Sequence, residues 1–351
     1  MHISLTGTGR ALPSLIKKNE DFLQHQFVDE NGDPFETSNE VIIEKFKSIT
    51  GIEERRYAKA NENSSDLAAE AAKIAIADAQ IDQESLDYII VAHNFGDTPS
   101  GSKQSSPLPS ISSKVKTLLG IKNPYCVAYD ILFGCPGWVE GVIQANAFIK
   151  AGMAKRCLVI GTETLSRVVD HNDRDSMIFA DGAGACIVEN KDNEGEILSH
   201  KSVTYTANNE IDLLYFGKAY QESDPMNYIK MKGRKVYEFA LSHVPQAMKE
   251  CLNEAEIAIG DLKKIFIHQA NMKMDDAIIK RFYRLYREKV PGDVLPMNIQ
   301  KHGNSSVATV PTLYDQVLKG DLENHSLSKG DIVLFASVGA GMNINAITYR
   351  V

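Results

Sequence analysis

Leu86 to His93 is a mostly apolar run of strand length. Such a strand has to be covered on both faces, and in an α/β chain the covers are helices. Further strand-length apolar runs stand at Cys157 to Gly161, Lys264 to His268, Asp331 to Ala336 and Ile344 to Arg350. Helical patterns alternate with them at Leu67 to Ala79, Ser110 to Leu119, Val139 to Ala151, Val236 to Ala255, Met274 to Arg287 and Val307 to Lys319. The alternation predicts an α/β protein with parallel sheets packed between helices. It runs on both sides of a hydrophilic break at Asp192 to Glu196, so the chain divides into halves, 1–190 and 191–351, of similar rhythm. A length of 351 residues exceeds one small core and suits such a duplication.

Composition narrows the function. A net charge of -8 leaves no basic excess to displace counterions from phosphates, which argues against a nucleic-acid binder. The five cysteines, Cys126, Cys135, Cys157, Cys186 and Cys251, form no Cys-x-x-Cys pair and no Cys/His ligand spacing. Neither a disulfide framework nor a metal site is expected, and a reducing cytoplasm fits. No apolar run reaches the roughly 18 residues of a membrane span, and Met1-His2-Ile3-Ser4 lacks a charged-then-apolar secretion pattern. Ile3 to Gly9 ends in Gly-Thr-Gly, but Leu12 stands where a third glycine would complete a dinucleotide fingerprint.

Cys135 stands apart from the other thiols. In Asp130-Ile-Leu-Phe-Gly-Cys-Pro-Gly-Trp-Val-Glu-Gly141 it falls between a strand pattern (Tyr125, Val127, Tyr129), expected to be buried, and the helix that follows. Pro136 suits a first helical turn, and Gly134 and Gly137 let backbone or substrate come close. The corner is expected to be strained, and the positive end of the helix dipole is expected to lower the thiol pKa. A lone cysteine is more often a small buried hydrophobe. Two distant corners weigh against that here. His268 ends a strand in Ile-Phe-Ile-His-Gln-Ala-Asn271, and Asn304 lies in His302-Gly-Asn-Ser-Ser-Val-Ala308, where Gly303 is expected to open a helix. Strand ends and helix starts on one sheet edge are where such folds put ligands. Thiolate, imidazole and carboxamide make a coherent acyl-transfer set.

These motifs resemble those of the β-ketoacyl-acyl-carrier-protein synthase III family of thiolase-fold condensing enzymes. The likeness runs through Gly7-Thr-Gly9, Thr50-Gly-Ile-Glu-Glu-Arg55, Asp130 to Trp138, Phe179-Ala-Asp-Gly-Ala-Gly-Ala185, His268 to Asn271, His302 to Ala308 and Gly339-Ala-Gly341. The resemblance implies a thiolase-like α/β fold of two pseudo-symmetric βαβαβ-type halves stacked in five layers (αβαβα), a homodimer, and a two-stage reaction without a cofactor. Cys135 would take an acyl group from a thioester on coenzyme A or acyl carrier protein. Malonyl on acyl carrier protein would then lose carbon dioxide, and its enolate would attack acyl-Cys135 to give a 3-oxoacyl product. His268 Nε2 and the Asn304 amide would hold the enolate oxygen, and the N–H groups of Cys135 and Ala340 the oxyanion of the acyl thioester.

The same resemblance assigns Leu108, Arg174 and Phe179 to substrate binding. Leu108 would reach into the partner's acyl pocket, where a Phe is frequent; the smaller Leu implies a longer cavity. Members primed by acetyl-coenzyme A usually clamp adenine between a Trp and an Arg; those places fall near Lys45 and Ile49 here, and Arg174 keeps the second half of the clamp. An acidic carrier protein needs a basic patch. Lys273, Lys280, Arg281 and Arg284 on one helix are the first choice, and Lys230, Lys232, Arg234 and Lys235 the second. With no Cys after Cys251 a biosynthetic thiolase is set aside, and Asn304 sets aside synthases with two catalytic histidines. Chalcone-type synthases, a ketosynthase of a dialkylresorcinol, aryl-polyene or polyketide pathway joining longer chains, and a non-catalytic acyl-binding subunit are the alternatives.

Overall fold

The computed structural model describes residues 2–102, 104–192 and 195–351. Met1, Lys103 in the loop after His93, and residues 193 and 194 in the hydrophilic break lie outside the described residues. The strands are β1 (Ile3–Ala11), β2 (Leu15–Lys18), β3 (Glu54–Tyr57), β4 (Tyr88–His93), β5 (Val127–Leu132), β6 (Arg156–Thr164), β7 (Asp181–Asn190), β8 (Glu196–Thr204), β9 (Leu214–Lys218), β10 (Asn227–Met231), β11 (Leu262–Ile267), β12 (Ile332–Gly339) and β13 (Asn343–Arg350). The helices are α1 (Asn39–Thr50), α2 (Ser64–Ala79), α3 (Ile111–Leu119), α4 (Gly137–Lys150), α5 (Gly233–Glu254), α6 (Met272–Arg284), α7 (Ile299–His302) and α8 (Thr309–Leu318).

Two sheets carry the fold, one ordered β1-β7-β6-β4-β5 and the other β11-β12-β13-β8. Both are mixed, which corrects the expectation of parallel sheets. The pairs β4–β5, β4–β6 and β11–β12 are parallel. The pairs β1–β7, β6–β7, β12–β13 and β13–β8 are antiparallel. The chain passes from β6 to β7, and from β12 to β13, without an α-helix between them, so no crossover exists to make those neighbours parallel.

The helices divide into three layers by the faces they bury. Leu67, Ala71, Ala75 and Ala79 of α2 pack with Val115 of α3 on one face of the first sheet. Trp138, Val142 and Ile149 of α4, with Val310, Leu313 and Tyr314 of α8, fill the middle layer against Val159 and Val188 on one side and Phe335 and Ile347 on the other. Val244, Met248 and Leu252 of α5 pack with Ile278 and Phe282 of α6 over the outer face of the second sheet. The result is the five-layered αβαβα arrangement. The glycines of the first strand serve it directly: a Cβ at Gly7 or Gly9 would lie 2.4 Å from a backbone oxygen of α2. That is a helix-packing role and no phosphate cradle.

Other sequence expectations are corrected. The strand before Cys135 is an edge strand of the first sheet, not a buried one; Val127 and Leu132 are exposed. Residues 54–57, which lie partly in the Thr50 to Arg55 motif, form β3 and pair with β2. Helix α2 starts at Ser64 instead of Leu67, with Asn63 as its cap, and the Asp66 carboxylate accepts the Asn63 N–H there. The β9–β10 hairpin, absent from the sequence reading, is held by Lys230, whose ammonium donates to Asp170 at 2.7 Å and to Asp173 at 3.1 Å. Lys230 is 1% exposed, so it belongs to no docking patch.

Candidate active site

Cys135 stands between β5 and α4, two residues before the first helical residue. Neither it nor Gly134 nor Gly137 has a positive φ, so the expected backbone strain is not there. Close approach accounts for the glycines. A Cβ on Gly134 would lie 2.6 Å from the Ala340 nitrogen, and one on Gly339 would lie 2.5 Å from the Cys135 nitrogen. The corner before α4 and the turn after β12 therefore meet backbone to backbone, with the nitrogens of Cys135 and Ala340 at the contact.

His268 follows β11, and its N–H donates to the Ala336 carbonyl of the neighbouring strand at 2.8 Å. Its Nδ1 lies 2.7 Å from the Thr309 hydroxyl, which is itself 2.9 Å from the Ser306 carbonyl. Asn304 follows α7, which Gly303 closes with φ +65° instead of opening the next helix. The backbone of Asn304 is tied at both ends to the segment before β7: its N–H donates to Ile178, and its carbonyl accepts from Ala180. The side chain is fixed too, because Oδ1 accepts the Ser306 N–H at 2.8 Å. Among the described residues, that leaves the amide NH₂ of Asn304 without a hydrogen-bond partner.

Cys135, His268, Asn304, Ala340 and Phe179 line one cavity of about 390 Å³. Its apolar walls include Phe95, Leu132, Phe216, Ile229 and Met231. Desolvation dominates its electrostatics. The Cys135 thiol is pushed up to about 12, with the Ser306 hydroxyl bond pulling the other way. The expected lowering is thus reversed, and the resting Cys135 side chain is a thiol. His268 is brought down to about 4 by burial, so its imidazole is neutral at pH 7.

A groove of about 580 Å³ adjoins the cavity and shares Asn304, Met231, Val236, Ala270 and Met274 with it. Arg174 lies on this groove, as do Lys45 and Ile49. The aromatic partner of Arg174 is neither of the expected positions but Phe35, with the guanidinium 4.8 Å from the ring centroid. Phe35 escaped the sequence reading because it sits in an irregular polar loop. Leu108 lies elsewhere, 84% exposed in the loop before α3. Lys273, Lys280, Arg281 and Arg284 are all exposed on α6, whose Met274 reaches the groove. Arg281 also donates to the Leu241 carbonyl of α5.

Two family models match the chain. One, described as 3-oxoacyl-[acyl-carrier-protein (ACP)] synthase III, covers residues 129–206, and its C-terminal counterpart covers 252–351. The first span holds Cys135 and the second His268 and Asn304. A β-ketoacyl-[acyl-carrier-protein] synthase III of Erythrobacter litoralis is 30% identical over 99% of this chain and 98% of its own. This chain belongs to that family. Another synthase III, of Aquifex aeolicus, is 32% identical over the whole of both chains. The crystal structure of a 3-oxoacyl-[acyl-carrier-protein] synthase III from the same organism superposes with a TM-score of 0.81 at 30% identity, covering 99% of this chain and all of that one. The fold is therefore thiolase-like, and the protein is an acyl-transferring condensing enzyme. As a synthase III it performs the decarboxylative condensation that builds a 3-oxoacyl product in fatty-acid biosynthesis. Among the described residues no helix is long and apolar enough to cross a membrane.

Proposed function

We propose that Cys135 accepts the acyl group, and that the neutral His268 and the Asn304 amide then stabilise the enolate formed when malonyl on acyl carrier protein loses carbon dioxide. The observation that carries this reading is the convergence of the three side chains on one apolar cavity reached by a groove. Electrons of the breaking C–CO₂ bond pass to the thioester oxygen as the enolate, which then attacks the acyl-Cys135 carbonyl; collapse of that adduct returns the sulfur. Two donors without a full charge suit an enolate oxygen, since they stabilise it without quenching its attack. For Nε2 to carry the hydrogen, the Thr309 hydroxyl must give its own proton to Nδ1 rather than to the Ser306 carbonyl. The paired N–H groups of Cys135 and Ala340 supply the oxyanion site for the acyl carbonyl.

Coenzyme A is the acyl donor in this reading. The Phe35 ring and the Arg174 guanidinium, packed on each other at the groove, offer a planar base an outer face to stack on. A pantetheine arm then runs past Met231 and Met274 to Asn304. The exposed cations of α6 beside the groove suit an acidic carrier protein. The edge of β5 carries exposed Val127 and Leu132, with exposed Tyr125 just ahead of it, and an unpaired apolar edge of that kind is closed by a second copy of the same strand. Leu108 would then face the partner's cavity in a cytoplasmic homodimer. The test supplies acetyl-coenzyme A and malonyl-acyl carrier protein together: 3-oxoacyl-acyl carrier protein and carbon dioxide should form in equal amounts. Acetyl transfer to water alone would overturn the reading.

A further inference from the structure

Behind the Cys135 sulfur stands a chain of hydrogen bonds that the condensation chemistry above leaves unused. The Ser306 hydroxyl donates to Cys135 Sγ at 3.2 Å. The same hydroxyl oxygen accepts from Asn94 Nδ2 at 2.9 Å. Asn94 in turn gives its remaining amide hydrogen, and its backbone N–H at 2.8 Å, to Oε1 of Glu163. Glu163 is 2% exposed, near the end of β6.

The polarity of this chain is fixed by proton counting. A hydroxyl has one hydrogen, and an amide NH₂ can only donate. With Asn94 donating to the Ser306 oxygen, the one Ser306 hydrogen is left for the sulfur. Glu163 prevents the Asn94 amide from turning over, because a flipped amide would set its oxygen against the carboxyl oxygen that now accepts two hydrogens. Ser306 is held in an unusual backbone conformation, with φ +50° in a buried site. Such a conformation costs about 1 kcal/mol or more and persists where surrounding structure over-determines it. Here every polar group of the residue is engaged with the catalytic set. The hydroxyl meets Cys135, the N–H meets Asn304 Oδ1, and the carbonyl accepts the Thr309 backbone N–H, which leaves the Thr309 hydroxyl for His268.

We propose that Ser306 is a catalytic donor to the reacting sulfur, and that Asn94, braced by Glu163, is the positioning residue that keeps that donor aimed. The pair offsets part of the desolvation that keeps Cys135 protonated, and so sets how much thiolate is available for acyl transfer. Burial supports the same picture from the far end, since it pushes the Glu163 carboxyl up to about 8. The charge it gains near that value opposes the Cys135 thiolate, and the Ser306 hydroxyl bond works against that effect. The other titratable groups around the sulfur are His268 and Tyr215 in the cavity wall, and Asp181 beyond Glu163.

This inference rests on Cys135 being the nucleophile, and the experiment separates the two. Iodoacetamide alkylation of Cys135 is followed between pH 7 and 9 in the full-length protein, with the Cys135→Ala variant giving the background. Ser306→Gly removes the hydroxyl while tolerating the positive φ. Asn94→Asp keeps the shape but presents an acceptor, which draws the Ser306 hydrogen away from the sulfur with the hydroxyl still in place. Both variants are expected to alkylate about tenfold more slowly than wild type at each pH, the effect of about one pKa unit. Asn94→Asp at the wild-type rate would overturn the positioning role, and Ser306→Gly at that rate the whole chain. Acetyl loading from acetyl-coenzyme A is measured by intact mass on the same samples. A wild type that loads while the alkylation rates stay equal refutes the relay alone; a wild type that does not load refutes the nucleophile.

Discussion

The Ser306 N–H and the Asn304 Oδ1 are 2.8 Å apart, so the amide of Asn304 has only its NH₂ end to offer the cavity. Its role as a donor follows from that one bond. Asn304→Asp preserves size and still accepts from Ser306, but presents a carboxylate oxygen where the NH₂ stood. Decarboxylation of malonyl thioester should fall about a hundred- to a thousandfold, the effect of losing one oxyanion donor of about 2.7–4 kcal/mol. Acyl loading of Cys135 should continue. Release of labelled carbon dioxide measures the first and intact mass the second; near-normal release from the Asp variant would remove Asn304 from the enolate site.

The buried imidazole makes a statement about pH. His268 and His302 are both held near 4, from an ordinary 6.5, by burial. Between those values the unfolded chain binds protons that the folded chain refuses, so their contribution is complete above pH 6.5 and is lost as pH falls through 4. Glu163 and Asp181, raised to about 8 and about 6, act in the opposite sense, and their contribution is lost as pH rises through those values. Thermal midpoints should peak between about pH 6 and 7. Decarboxylation should stay level from pH 7 to 5 and drop only toward pH 4. An inflection at 6.5 would mean that His268 titrates as an ordinary histidine.

Much of this site was legible in the sequence. Cys135, His268, Asn304, Phe179 and Ala340 sit at junctions between regular elements, where glycine motifs mark close approach, and all five line one cavity. What the sequence hid were contacts between loops. Phe35 meets Arg174 across about 140 residues of chain, and Asn94 meets Ser306 across 212. Neither pair carries a periodic pattern that would announce it. The hairpin β9–β10 was missed for a related reason: Leu214 to Met231 is polar and broken, and its place depends on one buried lysine. The thiol pKa was misjudged because the helix terminus is a local feature, whereas desolvation comes from walls contributed by the whole chain.

The pairing of Phe35 with Arg174 predicts a split between binding and turnover. Phe35→Ala or Arg174→Ala should raise KM for acetyl-coenzyme A about tenfold, roughly 1.4 kcal/mol, while leaving kcat within about twofold. A truncated acyl-pantetheine thioester, which has no base to stack, should be used equally by variants and wild type. A kcat loss of similar size for both donors would show that the pair shapes the catalytic cavity instead.

Lys230 supports a stability prediction. Its ammonium is 1% exposed, paired with two carboxylates, and lies 3.3 Å from the centroid of the Tyr220 ring. Lys230→Ala leaves Asp170 and Asp173 buried without their cation and should cost about 3–5 kcal/mol in urea unfolding. The loss should persist in high salt, because a buried pair is poorly screened. A cost below about 0.5 kcal/mol would mean that the hairpin is held by its apolar contacts alone.

The central claim is that one sulfur carries the acyl group between two thioesters. Intact-mass measurement after incubation with acetyl-coenzyme A, without malonyl substrate, tests it most directly. The account predicts one acetyl adduct per chain, located at Cys135, absent from Cys135→Ala, and discharged on adding malonyl-acyl carrier protein. An adduct that survives in the Cys135→Ala variant, or a wild type that condenses without ever carrying one, would contradict it.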